Sequence, residues 1–442
     1  MSDDTEYNDK NTKAVPSGRW SRMGKLGSLA SSVAGGMLAE GARQLASGKR
    51  PKARELLLTP GNAKRVADQL AQLRGAAMKV GQLMSMDAGD ILPPELTEIL
   101  SRLRANAEPM PFSQLTQVLH ENWGADWNNQ FKQFSFKPMA AASIGQVHSA
   151  QTKDDRHLAL KVQYPGIRES IDSDVDNVAT LLRVSGLIPK GLDIAPLLQD
   201  AKVQLHAEAD YQQEANWIRH FHELLGDNQH FLIPEVYEDF TTTNILAMSF
   251  VEGVDIESLE HASQEDRNRV IELLMELLFR ELFEFQVVQT DPNFANYQYN
   301  VETHQLVLLD FGATRAYPDK IVQGYRALMQ GAIDDDHQAM DQAAENIGFF
   351  QESIKAEQRA AVVDVFLQAC EPLIHEGKYD FGTTNLAQRI RDEGMSLSME
   401  KEHWHTPPAD AIFLHRKLGG VYLLAAKLKA QVDVRSLFLN AV

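Results

Sequence analysis

Residues 289–312 read Gln-Thr-Asp-Pro-Asn-Phe-Ala-Asn-Tyr-Gln-Tyr-Asn-Val-Glu-Thr-His-Gln-Leu-Val-Leu-Leu-Asp-Phe-Gly. Two carboxylates and one amide stand out. Asp291 is followed five positions later by Asn296, and an apolar run, Leu306 to Leu309, delivers Asp310 at the head of an Asp-Phe-Gly triplet. Each type suits one chemistry. A Mg²⁺ carried by a nucleotide takes hard oxygen ligands, which a carboxylate and an amide carbonyl supply. A further carboxylate can take the proton of an attacking hydroxyl or water. Asp-Phe-Gly alone is weak, because turns after strands often carry Asp and Gly. The ordered set Asp291, Asn296, Asp310 is much more specific, being the Asp-x-x-x-x-Asn and Asp-Phe-Gly of kinase catalytic loops.

Composition frames the rest. The 442 residues suffice for about three average domains, or two large lobes with an extension. Apolar and charged fractions of 44% and 24% are those of a globular protein. Cys370 is the single cysteine, which excludes a disulfide framework and a cysteine metal site and suits a reducing compartment. No apolar run reaches the roughly 18 residues of a transmembrane helix. The acidic start is neither a signal nor a transit peptide, so a cytoplasmic location is expected.

The net charge of −18 is unevenly distributed. Residues 1–9 hold four acids. Residues 10–54 hold ten bases and one acid, which leaves the body, 55–442, at −23. Such a body is a poor nucleic-acid binder, whereas the basic segment suits an anionic surface. Within it, Leu26, Leu29, Ala30, Val33 and Met37 follow helical spacing between basic flanks. The spacing fits an amphipathic helix at a membrane interface or an arm packed on the body.

Further along, Val66, Leu70, Leu73, Ala77, Val80 and Met84 form the stripe of a helix over 62–86, with Asn62 as its cap. Lys79, Gly81 and Gln82 lie beside the stripe, and Lys79 alone would read as solvated. Pro93-Pro94 opens a second helix, which Pro109 and Pro111 end. Near residue 131 the period changes: 131–136, 144–150 and 157–163 read as strands, separated first by the small-residue loop Pro138–Gln146. The third strand carries Lys161 in a Leu-Ala-Leu-Lys setting, like the Val-Ala-Ile-Lys strand of kinases. Residues 165–224 read as helical and include Glu208, Asp210 and Glu214; 231–251 return to strand. Met248–Gly253, with Glu252, is where a hinge offering backbone groups to adenine would fall. Residues 264–286 read as one amphipathic helix, and everything beyond about 320 as helix. There is no internal repeat.

Taken in order, Lys79-Val80-Gly81-Gln82, the Ala140–Gln146 loop, Lys161, Glu208-x-Asp210, Gln289-Thr290-Asp291-Pro292 with Asn296, and Asp310-Phe311-Gly312-Ala313-Thr314-Arg315 resemble the UbiB/AarF (ABC1-type) atypical kinases, most closely the coenzyme Q biosynthesis branch. The resemblance covers roughly residues 15–440. It implies an α+β, protein-kinase-like bilobal fold, with a small antiparallel-sheet N-lobe and a helical C-lobe enclosing Mg-ATP, and an N-terminal helical extension. The implied divisions are a membrane-interacting segment 1–54, a helical extension 55–130, an N-lobe 131–254 with inserted helices and a C-lobe 255–442.

By this likeness Lys161 binds the α/β-phosphates and pairs with Glu214. Asp291 is the catalytic carboxylate, and Asn296 and Asp310 are the Mg²⁺ ligands. Ala140, Ala141, Ala142 and Ser143 replace a glycine-rich phosphate loop, and Glu252 belongs to the ATP site. Lys79 and Gln82 belong to a regulatory lid helix with Glu208 and Asp210 as partners. The implied function is an Mg-ATP-dependent kinase or ATPase supporting ubiquinone biosynthesis, peripheral on the inner membrane. A membrane lipid or quinone precursor and ubiquinone-biosynthesis proteins are its expected partners.

Two features depart from ordinary protein kinases: Gln289-Thr290-Asp291 replaces His-Arg-Asp, and no Ala-Pro-Glu follows Asp310. A peptide platform is therefore missing, and water or a small, lipid-like acceptor is expected. Two alternatives remain. One is a kinase-shaped scaffold that uses nucleotide as a switch; the retained Asp291 argues against it. The other is a phosphotransferase for a soluble metabolite, which would leave the basic N-terminus and the Lys79–Gln82 helix without a role.

Overall fold

The computed structural model describes residues 70, 73–87, 109–184, 194–226, 228–291, 293–350, 354–399 and 408–442. The basic segment, Asn62, the helix expected at Pro93-Pro94 and Pro292 lie outside the described residues. The chain divides into two units. One comprises residues up to Asn216 together with Glu235–Phe250; the other comprises Trp217–Pro234 together with Val251–Val442.

The first unit holds helices α1 (Arg74–Asp87) and α2 (Phe112–Trp123), then β1 (Phe131–Phe134), β2 (Ala140–Ala141), β3 (Gly145–Thr152) and β4 (His157–Gln163). Helices α3 (Ile167–Val184), α4 (Ala195–Glu208) and the start of α5 (Tyr211–Leu225) follow, and a later segment returns β6 (Ile245–Ser249). The sheet runs β1-β3-β4-β6, antiparallel throughout, with β2 added on β3. The β4 sequence, His-Leu-Ala-Leu-Lys-Val-Gln, is almost wholly buried because β3 and β6 flank it. At the outer edge, Trp123, Trp127, Phe131, Phe134 and Phe240 pack tilted or edge-on, and Trp123 Nε1 donates to Phe240 O at 3.0 Å. Aromatic pairs in such geometries add to their burial energy.

Helix α1 packs against α3 and α4. Ala77, Val80 and Met84 of the expected stripe are buried in it, as is Leu70 just before it; but so are Ala76, Lys79, Gly81 and Leu83. Burial on more than one side marks a helix covered by its neighbours rather than a surface helix with one apolar stripe.

In the second unit β7 (Val254–Asp255) leads into α6 (Gln264–Phe279), whose Ser263 cap accepts from Asp266 N. The helix expected to run to 286 stops at Phe279. A π turn, Arg280–Phe285, follows, and Gln286 reverses the chain with φ +54°. Strands β8 (Val287–Gln289), β9 (Tyr297–Asn300), β10 (Gln305–Leu308) and β11 (Thr314–Ala316) carry the decisive stretch. β9 and β10 pair antiparallel within the order β5-β10-β9-β7, where β5 is Phe231–Leu232, and β11 pairs with β8.

The remainder is α7 (Asp319–Ile333), α8 (His337–Ile347), α9 (Ala356–Ala369), α10 (Glu371–Ile374), α11 (Leu386–Met399), α12 (Ala409–Leu428) and α13 (Val434–Ala441). It is helical as expected, except that β12 (Tyr379–Asp380) and β13 (Gln431–Val432) form a small antiparallel pair. Two further differences from the sequence reading have local causes. The loop at 138–146 is a hairpin, because Ala140 and Ala141 pair with Val147 and Gln146 and Ala142 N closes on Gly145 O at 2.9 Å. Helix α2 begins directly after Pro111, so the proline expected to end a helix instead stands at the start of one.

Candidate active site

Lys161 lies at the middle of β4, opposite Val147 of β3 and Leu246 of β6. Its ammonium is 2.5 Å from Glu214 Oε1, and both side chains are buried. Glu214 stands one turn into α5, where Asp210 accepts from Gln213 N at 3.2 Å and so caps the helix. A buried ion pair fixes two long side chains in one place, and the strand and the cap make that place definite.

Three elements meet at Glu208, the last residue of α4. Lys79 of α1, only 1% exposed, approaches its Oε1 at 2.5 Å, and Ser143 Oγ donates to its Oε2. The carboxylate thereby ties α1 to the hairpin turn that follows β2. Backbone contact is equally close: a Cβ added at Gly75 of α1 would stand 2.4 Å from Ser143 O. Only glycine permits that approach. Of the two acids expected to meet Lys79, Glu208 makes the contact, while Asp210 caps α5. Gln82 is partly exposed on α1.

The second unit assembles the other three residues through backbone pairing. Asn296 ends a 3-10 turn that Asn293 caps, Asn293 Oδ1 accepting from Ala295 N at 3.2 Å. Tyr297 pairs with Leu308, and Leu309 N donates to Asn296 O at 2.9 Å. Asn296 and Asp310 therefore sit at the same end of the β9–β10 pair. Asn296 Nδ2 donates to Asp291 Oδ2 at 3.1 Å. Thr290 donates to Ala313 O twice, from its N at 3.1 Å and from its Oγ1 at 2.7 Å. That latch holds the Asp291 loop to the Asp-Phe-Gly turn, in which Gly312 N donates to Asp310 Oδ1 at 3.0 Å. Phe311 is buried against Phe221 of α5, ring centroids 4.9 Å apart.

Tyr297 sits beneath these acids. Burial first, then the charges of Glu281, Asp291 and Asp310, push its phenol well above its ordinary pKa. It is a fixed donor, and it gives its proton to Gln289 Oε1 at 3.3 Å. Glu252 is exposed in side chain, and its carbonyl accepts from Asn300 Nδ2 at 3.3 Å.

Among the described residues, no group of three or more His, Cys, Asp or Glu side chains is placed to hold a metal ion. The oxygen donors of Asn296 and Asp310 fit a different arrangement. Mg²⁺ is commonly held by one or two protein ligands together with substrate phosphates. The neighbouring donors at one end of β9–β10 match that requirement.

One unit holds a strand lysine paired with a helix glutamate, and the other an Asp-x-x-x-x-Asn loop latched to an Asp-Phe-Gly turn; both are residue patterns that kinase-like phosphotransferases share. The fold agrees: the solved structure of the Rv3197–erythromycin complex from Mycobacterium tuberculosis superposes with a TM-score of 0.60 at 24% identity, covering 86% of this chain and 96% of that one. The family model of the ABC1 atypical kinase-like domain matches residues 102–344. The atypical kinase COQ8 of Saccharomyces cerevisiae, a mitochondrial protein, is 38% identical over 97% of this chain and 85% of its own length. The mitochondrial atypical kinase COQ8B of Rattus norvegicus is 36% identical over 96% of this chain and 81% of its own. The chain belongs to the ABC1 (UbiB/AarF) atypical kinase family, on its coenzyme Q branch. It is an ATP-dependent kinase-like enzyme of the α+β, protein-kinase-like fold.

Helix α2, the π turn at 280–285 and the pair Glu281–Lys417 have no counterpart in the sequence pattern. Glu281 is one of several charged residues at this helix end, with Arg280 and Glu284 beside it, so nothing local singles it out; for Lys417 there is no signal either.

Proposed function

We propose that the chain binds Mg-ATP and transfers its γ-phosphoryl group to water or to a small, lipid-like acceptor in support of ubiquinone biosynthesis. The observation that carries the reading is the latched set Asp291–Asn296–Asp310. Lys161, oriented by Glu214, supplies positive charge to the α/β-phosphates. Asn296 and Asp310 would hold Mg²⁺, which would neutralise charge on the phosphates. Asp291 takes the proton of the attacking hydroxyl or water, and Asn296 Nδ2 keeps its carboxylate turned.

The hairpin at Ala140–Ser143 covers the phosphates with alanine and serine where protein kinases use glycine. Every added Cβ narrows the ways a phosphate can lie against backbone N–H groups. Glu252 lies in the segment assigned to adenine. Lys79 and Gln82, with Glu208, serve as a lid: α1 is tied to Ser143, so the lid and the phosphate loop move as one. Asp210 acts through its cap on α5. Water and a slender lipid headgroup reach the phosphates past such a lid more readily than a folded protein does.

Peripheral attachment on the inner membrane through residues 1–54 completes the reading; no helix among the described residues is long and apolar enough to cross a membrane. Incubation with γ-labelled ATP, Mg²⁺ and anionic vesicles carrying a prenylated phenol tests it. Label should appear as inorganic phosphate or in the lipid fraction. Label transferred instead to an added protein substrate would overturn the choice of acceptor.

A further inference from the structure

Beneath the loop that carries Asp291 lies a buried ion pair that the phosphoryl-transfer chemistry does not use. Glu281, 1% exposed, sits in the π turn 280–285, and Lys417 comes from the middle of α12, 136 residues downstream. Lys417 Nζ contacts Glu281 Oε2. Glu281 Oε1 accepts the main-chain N–H of Gln289 at 3.4 Å. The side chain of Gln289 is held as well, since Tyr297 donates to its Oε1. Gln289 precedes Asp291 by two residues, so both its main chain and its side chain are pinned just before the catalytic carboxylate.

Stability does not account for the pair. Taking two charges out of water costs about as much as their attraction returns, and apolar residues of similar volume often serve as well or better. Burial pushes the Glu281 carboxyl up and the Lys417 ammonium down, while their mutual attraction opposes both shifts. The local backbone is also unusual. A π turn inserts a residue into helical phase and is frequent at functional sites. Gln286 then adopts a left-handed conformation that a residue with a Cβ seldom takes. Both features aim Glu281 back at Gln289.

We infer that the Glu281–Lys417 pair is a positioning device: it fixes the Gln289 backbone and so the place of the Asp291 carboxylate, without touching nucleotide or metal. Lys417 holds Glu281 in register, and Glu281 supplies the hydrogen-bond acceptor. The inference rests on Asp291 being the proton acceptor.

Two double variants test it. Glu281→Leu with Lys417→Met removes both charges and the acceptor. Glu281→Gln with Lys417→Met removes the charges but leaves a carbonyl for Gln289 N–H. The first should keep a melting temperature close to wild type, the gain from removing two buried charges offsetting the unpaired Gln289 N–H, and an Mg-nucleotide Kd within about twofold, while kcat falls at least tenfold. The second should recover a substantial part of that kcat. Wild-type kcat in the first variant would overturn the inference, as would parallel loss of nucleotide affinity and melting temperature in both. Asp291→Asn run beside them separates the two ideas. If it turns over ATP like wild type, the role given to Asp291 fails; if it is inactive while the first double variant is fully active, only the positioning device fails.

Discussion

Lys161 and Glu214 illustrate what one residue contributes here. A lysine on a central strand is worth little as a signal until something fixes its charge. The 2.5 Å contact with Glu214 does so, in surroundings that exclude water from both groups. Removing one partner of such a pair leaves the other buried and uncompensated, at roughly 3–5 kcal/mol. Glu214→Gln should therefore lower thermal stability and raise the Km for ATP together. An unchanged Km would remove Lys161 from phosphate binding. The sequence showed Lys161, Asp291, Asn296 and Asp310 because their spacings are local. Glu208 and Glu214 could be placed only by resemblance, since no local pattern says which acid of a helical stretch reaches a lysine 53 or 129 residues before it.

At the scale of the element, α1 and the β3 strand carry the sharpest expectations. Lys79 reads as a solvated residue by its local pattern, yet it is buried, because α1 is covered by α3 and α4 and not only along one stripe. Burial on several sides has no periodic signature, which is why the helix was legible and its surroundings were not. Gly75→Ala places a methyl group against Ser143 O and should displace α1 from the hairpin, destabilising by about 1–3 kcal/mol as overpacking does. Lys79→Ala should release the same contact by removing the ammonium that faces the Glu208 carboxylate. Altered nucleotide preference and self-phosphorylation are then expected, and Glu208→Ala should reproduce them. Wild-type behaviour in both variants would remove the lid.

In β3, His148 Nδ1 lies 2.8 Å from Ser135 O, an acceptor, so Nδ1 carries the proton. Nε2 then accepts from Gln146 Nε2 at 2.8 Å, and Gln146 Oε1 accepts Met110 N at 3.0 Å. Protonation of Nε2 would set donor against donor. Burial, partly opposed by the bond to Ser135, lowers the His148 pKa from 6.5 to about 4. The unfolded chain therefore takes up this proton first. Stability is full above pH 6.5 and declines as the pH falls towards 4, by on the order of 3 kcal/mol from this group. A pH series of urea midpoints on wild type and His148→Gln should show the flatter slope in the variant between pH 4 and 6.5; equal slopes would mean that His148 titrates normally.

For the molecule as a whole, the chain order of the motifs conveyed the kinase-like class. What it left out are long-range ties: β6 returns to the first sheet after a helical excursion, and β5 joins the second-unit sheet beside β10. Neither follows from hydrophobic period. The basic segment 10–54 against an acidic body gives the expectation that deleting residues 1–54 weakens sedimentation with anionic vesicles while ATP affinity is unchanged. Each basic residue near such a surface contributes on the order of 1 kcal/mol. Undiminished sedimentation would rule out that segment as the membrane contact.

The proposed function divides labour between two aspartates: Asp310 would bind the metal, and Asp291 would move the proton. Mg-dependent nucleotide affinity and ATP turnover, measured together on Asp310→Asn and Asp291→Asn, test it directly. Asp310→Asn should lose Mg-dependent binding, because a neutral amide replaces the anionic ligand. Asp291→Asn should bind Mg-ATP like wild type and lose at least a hundredfold in turnover, the lower range for removing a general base. Equal loss of nucleotide affinity in both variants, or retained turnover in Asp291→Asn, would contradict the account.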